Sequence, residues 1–169
     1  MWIDGLIVKL MRNGVANNTL KWIQSYLFNR RARVSLDQLS SRKILLRQGV
    51  PQSGVLSATL FLMFINYLVS ELPRGVKAAL YADDLVLCCK DEHASTANYR
   101  IQQAIDQLTT WTEDWCVTLN KDKSSTTLFT LSPKKQTSHI KIGTNTQKEE
   151  DEATYLGKRH ARSWQSCAN

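Results

Sequence analysis

Proline and glycine are scarce, three and seven in 169 residues, which excludes a collagen-like or low-complexity chain. Long apolar runs are missing as well. The longest, Leu60 to Ile65, falls far short of the roughly 20 residues that a membrane span needs, so no membrane partner is expected. No basic stretch followed by an apolar one opens the chain, and nothing argues for secretion. The four cysteines, Cys88, Cys89, Cys116 and Cys167, show no C-x-x-C spacing. A zinc site or a disulfide partner is therefore not expected, and a reducing, intracellular compartment (nucleus or cytoplasm) is. His93, His139 and His160 are scattered, which gives no support to histidine catalysis. With 43% hydrophobic residues the chain can still build a core, so wholesale disorder is excluded.

Acidic residues are nearly absent from the first part of the chain. Up to Arg47 only Asp4 and Asp37 face nine basic residues: Lys9, Arg12, Lys21, Arg30, Arg31, Arg33, Arg42, Lys43 and Arg47. This segment carries the whole net charge of +7, and the remainder is balanced. Such asymmetry fits a polyanionic partner, most simply nucleic acid, or a solvated basic face.

Periodicity predicts helices over Trp2–Asn13 and Thr19–Phe28, the second capped by Asn18. Short strands are predicted at Arg33–Leu36 and Lys43–Leu46, as a hairpin across Asp37–Ser41, followed by a loop over Gln48–Ser53. Gly54 to Ser70 is apolar nearly all round and predicts a buried helix. Ser95–Trp115 predicts a long amphipathic helix with Ile101, Ile105, Leu108, Trp111 and Trp115 on its stripe. Ser125–Leu131 predicts a strand turned by Ser132-Pro133, and His139–Ile142 another. Beyond Gly143 only Tyr155-Leu156-Gly157 reads as structured. Trp22, Trp111 and Trp115 read as core, and Met11 and Met63 as packing residues.

Val76 to Cys89 reads as a hairpin whose tip is Asp83-Asp84. Adjacent carboxylates repel, and burial without compensation is costly. A divalent cation with oxygen ligands relieves both problems, and Mg²⁺ keeps places for water and phosphate. An ordinary turn also favours Asp, but flanking apolar strands, with Tyr81-Ala82 against the pair, favour the metal.

Tyr81-Ala82-Asp83-Asp84, within Ala79-Leu80 and Leu85-Val86-Leu87, resembles the catalytic box of reverse transcriptases, RNA-directed DNA polymerases. Arg47-Gln48-Gly49-Val50-Pro51-Gln52 with Leu56-Ser57, Leu60-Phe61 and Ile65-Asn66 resembles the family's preceding motif. Leu108, Trp111, Trp115, Leu119-Asn120, Lys123-Ser124 and Phe129 resemble the next, and Tyr155-Leu156-Gly157 the last. The wording is most similar to non-LTR (LINE-like) retrotransposon enzymes.

The resemblance implies an α+β fold, a partial right-hand polymerase palm lacking the first palm strand, most of the fingers and the thumb. It implies a partial domain over 1–157: a basic finger-side segment at 1–47, a palm core at 48–131 and the end of the palm at 132–157. Residues 158–169 form a tail that does not follow the family. Two Mg²⁺ (or Mn²⁺) ions are implied, with Asp83 a direct ligand and Asp84 an accessory one. Gln48, Gly49, Val50, Pro51 and Gln52 would line the nucleotide and template, and Tyr81 and Ala82 the primer end. Lys123 would meet the leaving pyrophosphate, or is a plain surface lysine. Arg30, Arg31 and Arg33 would contact nucleic acid. The partners implied are an RNA template, a DNA primer and deoxynucleoside triphosphates.

The chain also departs from the family. The first palm motif, with its bridging aspartate, would stand ahead of Trp2. Gln52-Ser53-Gly54 inverts the commoner Gly-Ser order, and Ala58 replaces a usual proline. Two metals bring four positive charges, whereas Asp83 and Asp84 supply two negative ones. The expectation is a polymerase fragment inactive by itself, or a non-catalytic nucleic-acid-binding remnant of a decayed element.

Overall fold

Ile3, Leu6, Ile7 and Leu10 recur at the spacing of one helix face, and all four are buried where Ile3–Arg12 winds as α1. The computed structural model describes residues 1–70, 72–130 and 136–161. Two compact units divide them: Met1–Leu68 with Asp114–Val117, and Val69–Glu113 with the residues from Thr118 onward.

In the first unit α1 packs against α2 (Asn17–Leu27) and α3 (Val55–Ile65). Gly5 lies under an aromatic pair, Trp2 and Trp115, whose rings are 6.4 Å apart. A Cβ at Gly5 would sit 2.6 Å from the Trp2 ring and 3.1 Å from that of Trp115, so only glycine admits both rings. The N-cap position of α2 is Ala16, which makes no side-chain bond, and not Asn18, which lies inside the helix because the chain enters it through Asn17 in the left-handed region (φ 54°). Its buried residues are Ile23 and Leu27. Trp22, one step off that stripe, is not core. It is 59% exposed and stacks on Tyr26 at 6.1 Å. Met11 is likewise exposed.

The predicted hairpin forms as two short ladders. Arg31–Ala32 (β1) pairs with Ile44–Leu45 (β4), and Ser35–Leu36 (β2) with Leu39–Ser40 (β3). Ser41 interrupts them, since its hydroxyl accepts from the Val34 amide at 3.0 Å while its amide donates to the Val34 carbonyl at 2.8 Å. Helix α3 is not buried all round. Ser57, Leu60, Phe64 and Ile65 are covered, but Val55 is 90% exposed, because a short helix packed on α1 has only one face to bury.

Lys9 lies three residues after Leu6 and shares the buried face, with only 3% of its surface exposed. Its ammonium donates to the Phe64 carbonyl at 2.7 Å and sits 3.8 Å from the Trp115 ring, 4.4 Å from Phe64 and 5.3 Å from Tyr67. That carbonyl belongs to the last turn of α3, where a cation is favoured. The rings add cation–π attraction. Burial, seconded by the Arg12 charge, pulls the Lys9 pKa from 10.5 down to about 8.

In the second unit Val76–Tyr81 (β5) and Asp84–Cys89 (β6) form an antiparallel hairpin with every residue paired, from Val76↔Cys89 to Tyr81↔Asp84. Among the described residues neither outer edge has a strand partner. Helix α4 (Ala94–Asp114) buries Ala104, Leu108 and Thr112, with Ile101, Ile105 and Trp111 half-buried. Asp91 and Arg100 pair at 3.0 Å before and within it.

The strand predicted over Ser125–Leu131 is only Ser125–Thr126 (β7). The Ser132-Pro133 turn lies outside the described residues, as do Leu131 and Cys167. The region beyond Gly143 is more structured than its polarity suggests. Lys141–Ile142 (β8) pairs with Asn145–Thr146 (β9), Lys148–Glu149 (β10) runs parallel to β7, and Glu152–Tyr155 (β11) pairs with Lys158–Ala161 (β12). Polar side chains join these strands to α4. The Gln102 amide donates to the Lys141 carbonyl at 3.0 Å and accepts from its amide at 2.8 Å. Ser138 donates to Asn98 at 3.1 Å, and its amide donates to Glu149 at 2.9 Å.

The architecture is thus mixed helix with six two-stranded sheets among the described residues. No described helix is long and apolar enough to cross a membrane. Cys88, Cys89 and Cys116 are free thiols.

The depressed Lys9 pKa fixes the sign of a pH effect. Between about 8 and 10.5 the folded chain has released a proton that the unfolded chain still holds, so stability rises with pH across that window. In denaturant unfolding, Lys9→Met is expected to lack this increment, so that its stability relative to wild type falls from about pH 7 to about pH 10. A constant difference across that range would show that Lys9 is not desolvated.

Candidate active site

The alternating β5 strand leaves Val76, Ala78 and Leu80 half-buried and turns Lys77, Ala79 and Tyr81 outward. Full pairing down to Tyr81↔Asp84 leaves two residues, Ala82 and Asp83, to reverse the chain. Ala82 takes the left-handed conformation (φ 52°) that so tight a turn requires. The tip is therefore Ala82-Asp83, and Asp84 is the first residue of β6 rather than half of the turn. Opposed residues share a sheet face, so Asp84 and Tyr81 stand side by side. Tyr81 is 64% exposed, and Ala82, Asp83 and Asp84 are exposed too. Tyr81 and Ala82 do not form the apolar surround predicted for the pair, because the last residue of β5 and the turn that follows it both face outward. Two carboxylates open to solvent can offer oxygen ligands to a hard cation. Among the described residues no third His, Cys, Asp or Glu groups with them.

Lys123 closes a single 3₁₀ turn, Lys121–Lys123, whose cap is the Asn120 side chain accepting from the Lys123 amide at 3.2 Å. Its side chain is exposed. A shallow depression lined by Thr118–Asp122 and Asn145 adjoins this turn and contains none of the predicted site residues.

In the first unit the Gln48–Gln52 loop is anchored at its start. Gln48 bridges to Trp2, and the Gly49 amide (φ 80°) donates to the Met1 carbonyl at 3.0 Å. Gly49, Val50 and Pro51 are half-buried, whereas Gln48 and Gln52 are exposed. The inverted Ser53-Gly54 order has a structural cost. Ser53 occupies the left-handed region (φ 63°), where the commoner order would put glycine, and Gly54 caps α3 without a side-chain bond.

The three arginines predicted as nucleic-acid contacts divide. Arg31 and Arg33 are exposed. Arg30 is turned onto carbonyl oxygens of Leu27, Gln48 and Gly49. Of the nine basic residues before Gln48, Lys9 is buried and Arg30 half-buried, and the other seven are exposed. Sequence reasoning missed both inward cations. For Lys9 a signal existed, its spacing of three from Leu6 and four from Gly5 on the buried stripe. For Arg30 none did, because two of its three partners, Gln48 and Gly49, lie 18 and 19 residues away.

The family described as reverse transcriptase (RNA-dependent DNA polymerase) matches residues 1–160. The RNA-directed DNA polymerase from mobile element jockey of Drosophila melanogaster is 30% identical over 135 residues, 76% of this chain and 15% of the relative. The probable RNA-directed DNA polymerase from transposon BS of the same fly is 31% identical over 166 residues, 93% of the chain and 18% of the relative. The jockey polymerase of Drosophila funebris is 29% identical over 136 residues, 77% and 15%. The chain thus spans less than a fifth of the length of these relatives. No solved structure matches it significantly.

Ser53→Gly is expected to stabilise the chain by about 1 kcal/mol, by removing a side chain from the left-handed region. Thermal or denaturant unfolding measures it, and an unchanged or lower midpoint would show that the Ser53 conformation costs nothing.

Proposed function

Because the chain belongs to the reverse transcriptase family, of the non-LTR mobile-element type, we propose that it is the palm segment of an RNA-directed DNA polymerase that adds nucleotides to a primer 3′-hydroxyl. The observation that carries this reading is the Asp83-Asp84 pair, held at the solvent-open end of a fully paired hairpin. Reverse transcriptases generally use divalent metals. The donor set fits Mg²⁺ or Mn²⁺, since both groups are carboxylates and neither is buried. Such ions, when bound, neutralise the nucleotide's phosphates and activate the attacking hydroxyl. In this reading Asp83 ligates directly and Asp84 assists. Tyr81 and Ala82 border the primer end, and Lys123 neutralises the departing pyrophosphate. Gln48 to Gln52 meet the incoming nucleotide and the RNA template, with the two exposed glutamines supplying the polar contacts. Arg31 and Arg33 meet backbone phosphates. Within the chain, 1–47 is the finger-side part, 48–131 the palm core, 132–157 its end and 158–169 a tail.

Two carboxylates balance only half the charge of two divalent ions, and the third ligand that would bridge them has no counterpart beside the pair among the described residues. We therefore infer that the 169-residue chain does not polymerise by itself. The seven exposed cations support a second reading, a nucleic-acid-binding remnant without catalysis.

Primer extension on an RNA template with Mg²⁺ separates these readings. The isolated chain is expected to give no product. The same segment carried in a complete relative's polymerase is expected to extend, with Asp83→Asn lowering the rate at least about 100-fold. Extension that survives Asp83→Asn would remove the metal assignment, and a complete but inactive enzyme would favour the remnant.

Binding of the isolated chain to RNA should be non-specific and salt-dependent. If about three to five cations meet phosphates, log K falls against log salt with a slope of roughly −2 to −4. Making Arg31 and Arg33 alanine is expected to flatten that slope by about one to two, and an unchanged slope would leave them as solvated side chains.

A further inference from the structure

We propose that Arg30 is a positioning residue that latches the Gln48–Gln52 loop to the end of α2, not a nucleic-acid contact. The inference rests on the reading of that loop as the nucleotide and template contact. Arg30 Nε donates to the Leu27 carbonyl at 3.0 Å, and Nη2 donates to the Gln48 carbonyl at 3.1 Å and to the Gly49 carbonyl at 2.6 Å. Leu27 ends α2, so its carbonyl is one of the acceptors a helix leaves without an internal partner, and a cation there also meets the negative end of the helix dipole.

Successive carbonyls of an extended chain point opposite ways. The left-handed turn at Gly49 (φ 80°) brings two of them to one nitrogen. The main chain of Arg30 joins the same structure, since its carbonyl accepts from the Leu46 amide at 2.8 Å. From the other side, Gly49 donates to Met1 and Gln48 bridges to Trp2. Residues 46–49 are thus gripped from two directions, so the exposed Gln48 projects from an anchored backbone and Gln52 follows three residues after Gly49.

The chemistry demands arginine. The guanidinium is a planar fork whose donors lie at fixed angles, so one side chain can reach a helix end and two loop carbonyls together. A lysine at the same position keeps the charge but offers a single donor centre. The donors used on carbonyls are withdrawn from phosphates, which sets Arg30 apart from its exposed neighbours Arg31 and Arg33.

The test compares Arg30→Lys, Arg30→Ala and Arg31→Ala in the 169-residue chain, by amide hydrogen exchange and by the salt dependence of RNA binding. Arg30→Ala and Arg30→Lys are both expected to speed exchange at Gly49 about tenfold or more, while Leu6 and Leu10 of α1 stay protected and the salt slope is unchanged. Arg31→Ala is expected to do the reverse, flattening the slope by about one and leaving Gly49 protected. Unchanged exchange at Gly49 in Arg30→Ala, or full protection in Arg30→Lys, overturns the latch, as does a slope flattened by loss of Arg30. Should Arg30→Ala not fold, Arg30→Lys decides alone.

In a complete polymerase carrying the segment, Arg30→Lys is expected to raise KM for nucleotide about fivefold or more with kcat nearly kept, the signature of lost positioning. If Gln52→Ala raises KM and Arg30→Lys does not, the latch has no functional role and the inference falls. If neither does, the reading of the loop fails, and the exchange result by itself upholds or overturns the latch.

Discussion

The arrangement of the first unit depends on one buried cation. Lys9 places its ammonium in the buried face of α1, a cost that a carbonyl and three aromatic rings help to offset. Phe64 and Tyr67 come from the end of α3 and the turn after it, Trp115 from the segment beyond α4, and Lys9 from the middle of α1. A slip of any of these elements would strip the ammonium of its partners, so the charge selects one register where apolar packing alone would tolerate several. Aromatic contacts extend the same constraint. Trp115 meets Phe64 edge-on at 6.0 Å and reaches over Gly5 to Trp2.

That register is passed to the candidate loop. Once α1 is fixed, the two residues ahead of it, Met1 and Trp2, are fixed too, and they take hold of Gly49 and Gln48. Arg30 closes the arrangement from α2. The loop that bears the exposed glutamines has little structure of its own, and its start is held by two distant parts of the chain, Met1-Trp2 and Arg30. A loop placed in this way is only as rigid as the helices behind it.

The aspartate hairpin rests on a different principle. Its six pairs join residues no more than thirteen apart, and its turn needs only Ala82 in the left-handed region. Such a structure rests on contacts local in sequence, and it presents two carboxylates to solvent at its open end. The acceptor oxygens are in place before anything binds them. The tip is made locally, whereas the loop is made at long range.

Local and periodic features were legible in the sequence. Helix α1 follows from its i, i+3, i+4 stripe, the Asp83 hairpin from apolar strands around a turn, α4 from a stripe that includes Leu108, and the motif order from residue identity alone. Where the reading erred, the deciding partner was remote. The all-apolar α3 implied burial on every side, but only its neighbours determine how many faces are covered. Trp22 looked like core because hydrophobicity cannot say which of two adjacent helix positions meets a partner. The strands beyond Gly143 went unseen because each is short and polar, and they exist through pairing and through Gln102 and Ser138 bonds to α4. Charge was counted correctly but could not be located: Lys9 and Arg30 look like their exposed neighbours until the fold brings carbonyls and rings to them. Sequence by itself determined which chemistry the chain carries, because carboxylates, amides and guanidinium groups are fixed by residue type. Tertiary structure alone decided which of those groups face solvent and which hold the fold, because burial is a property of what packs around a side chain.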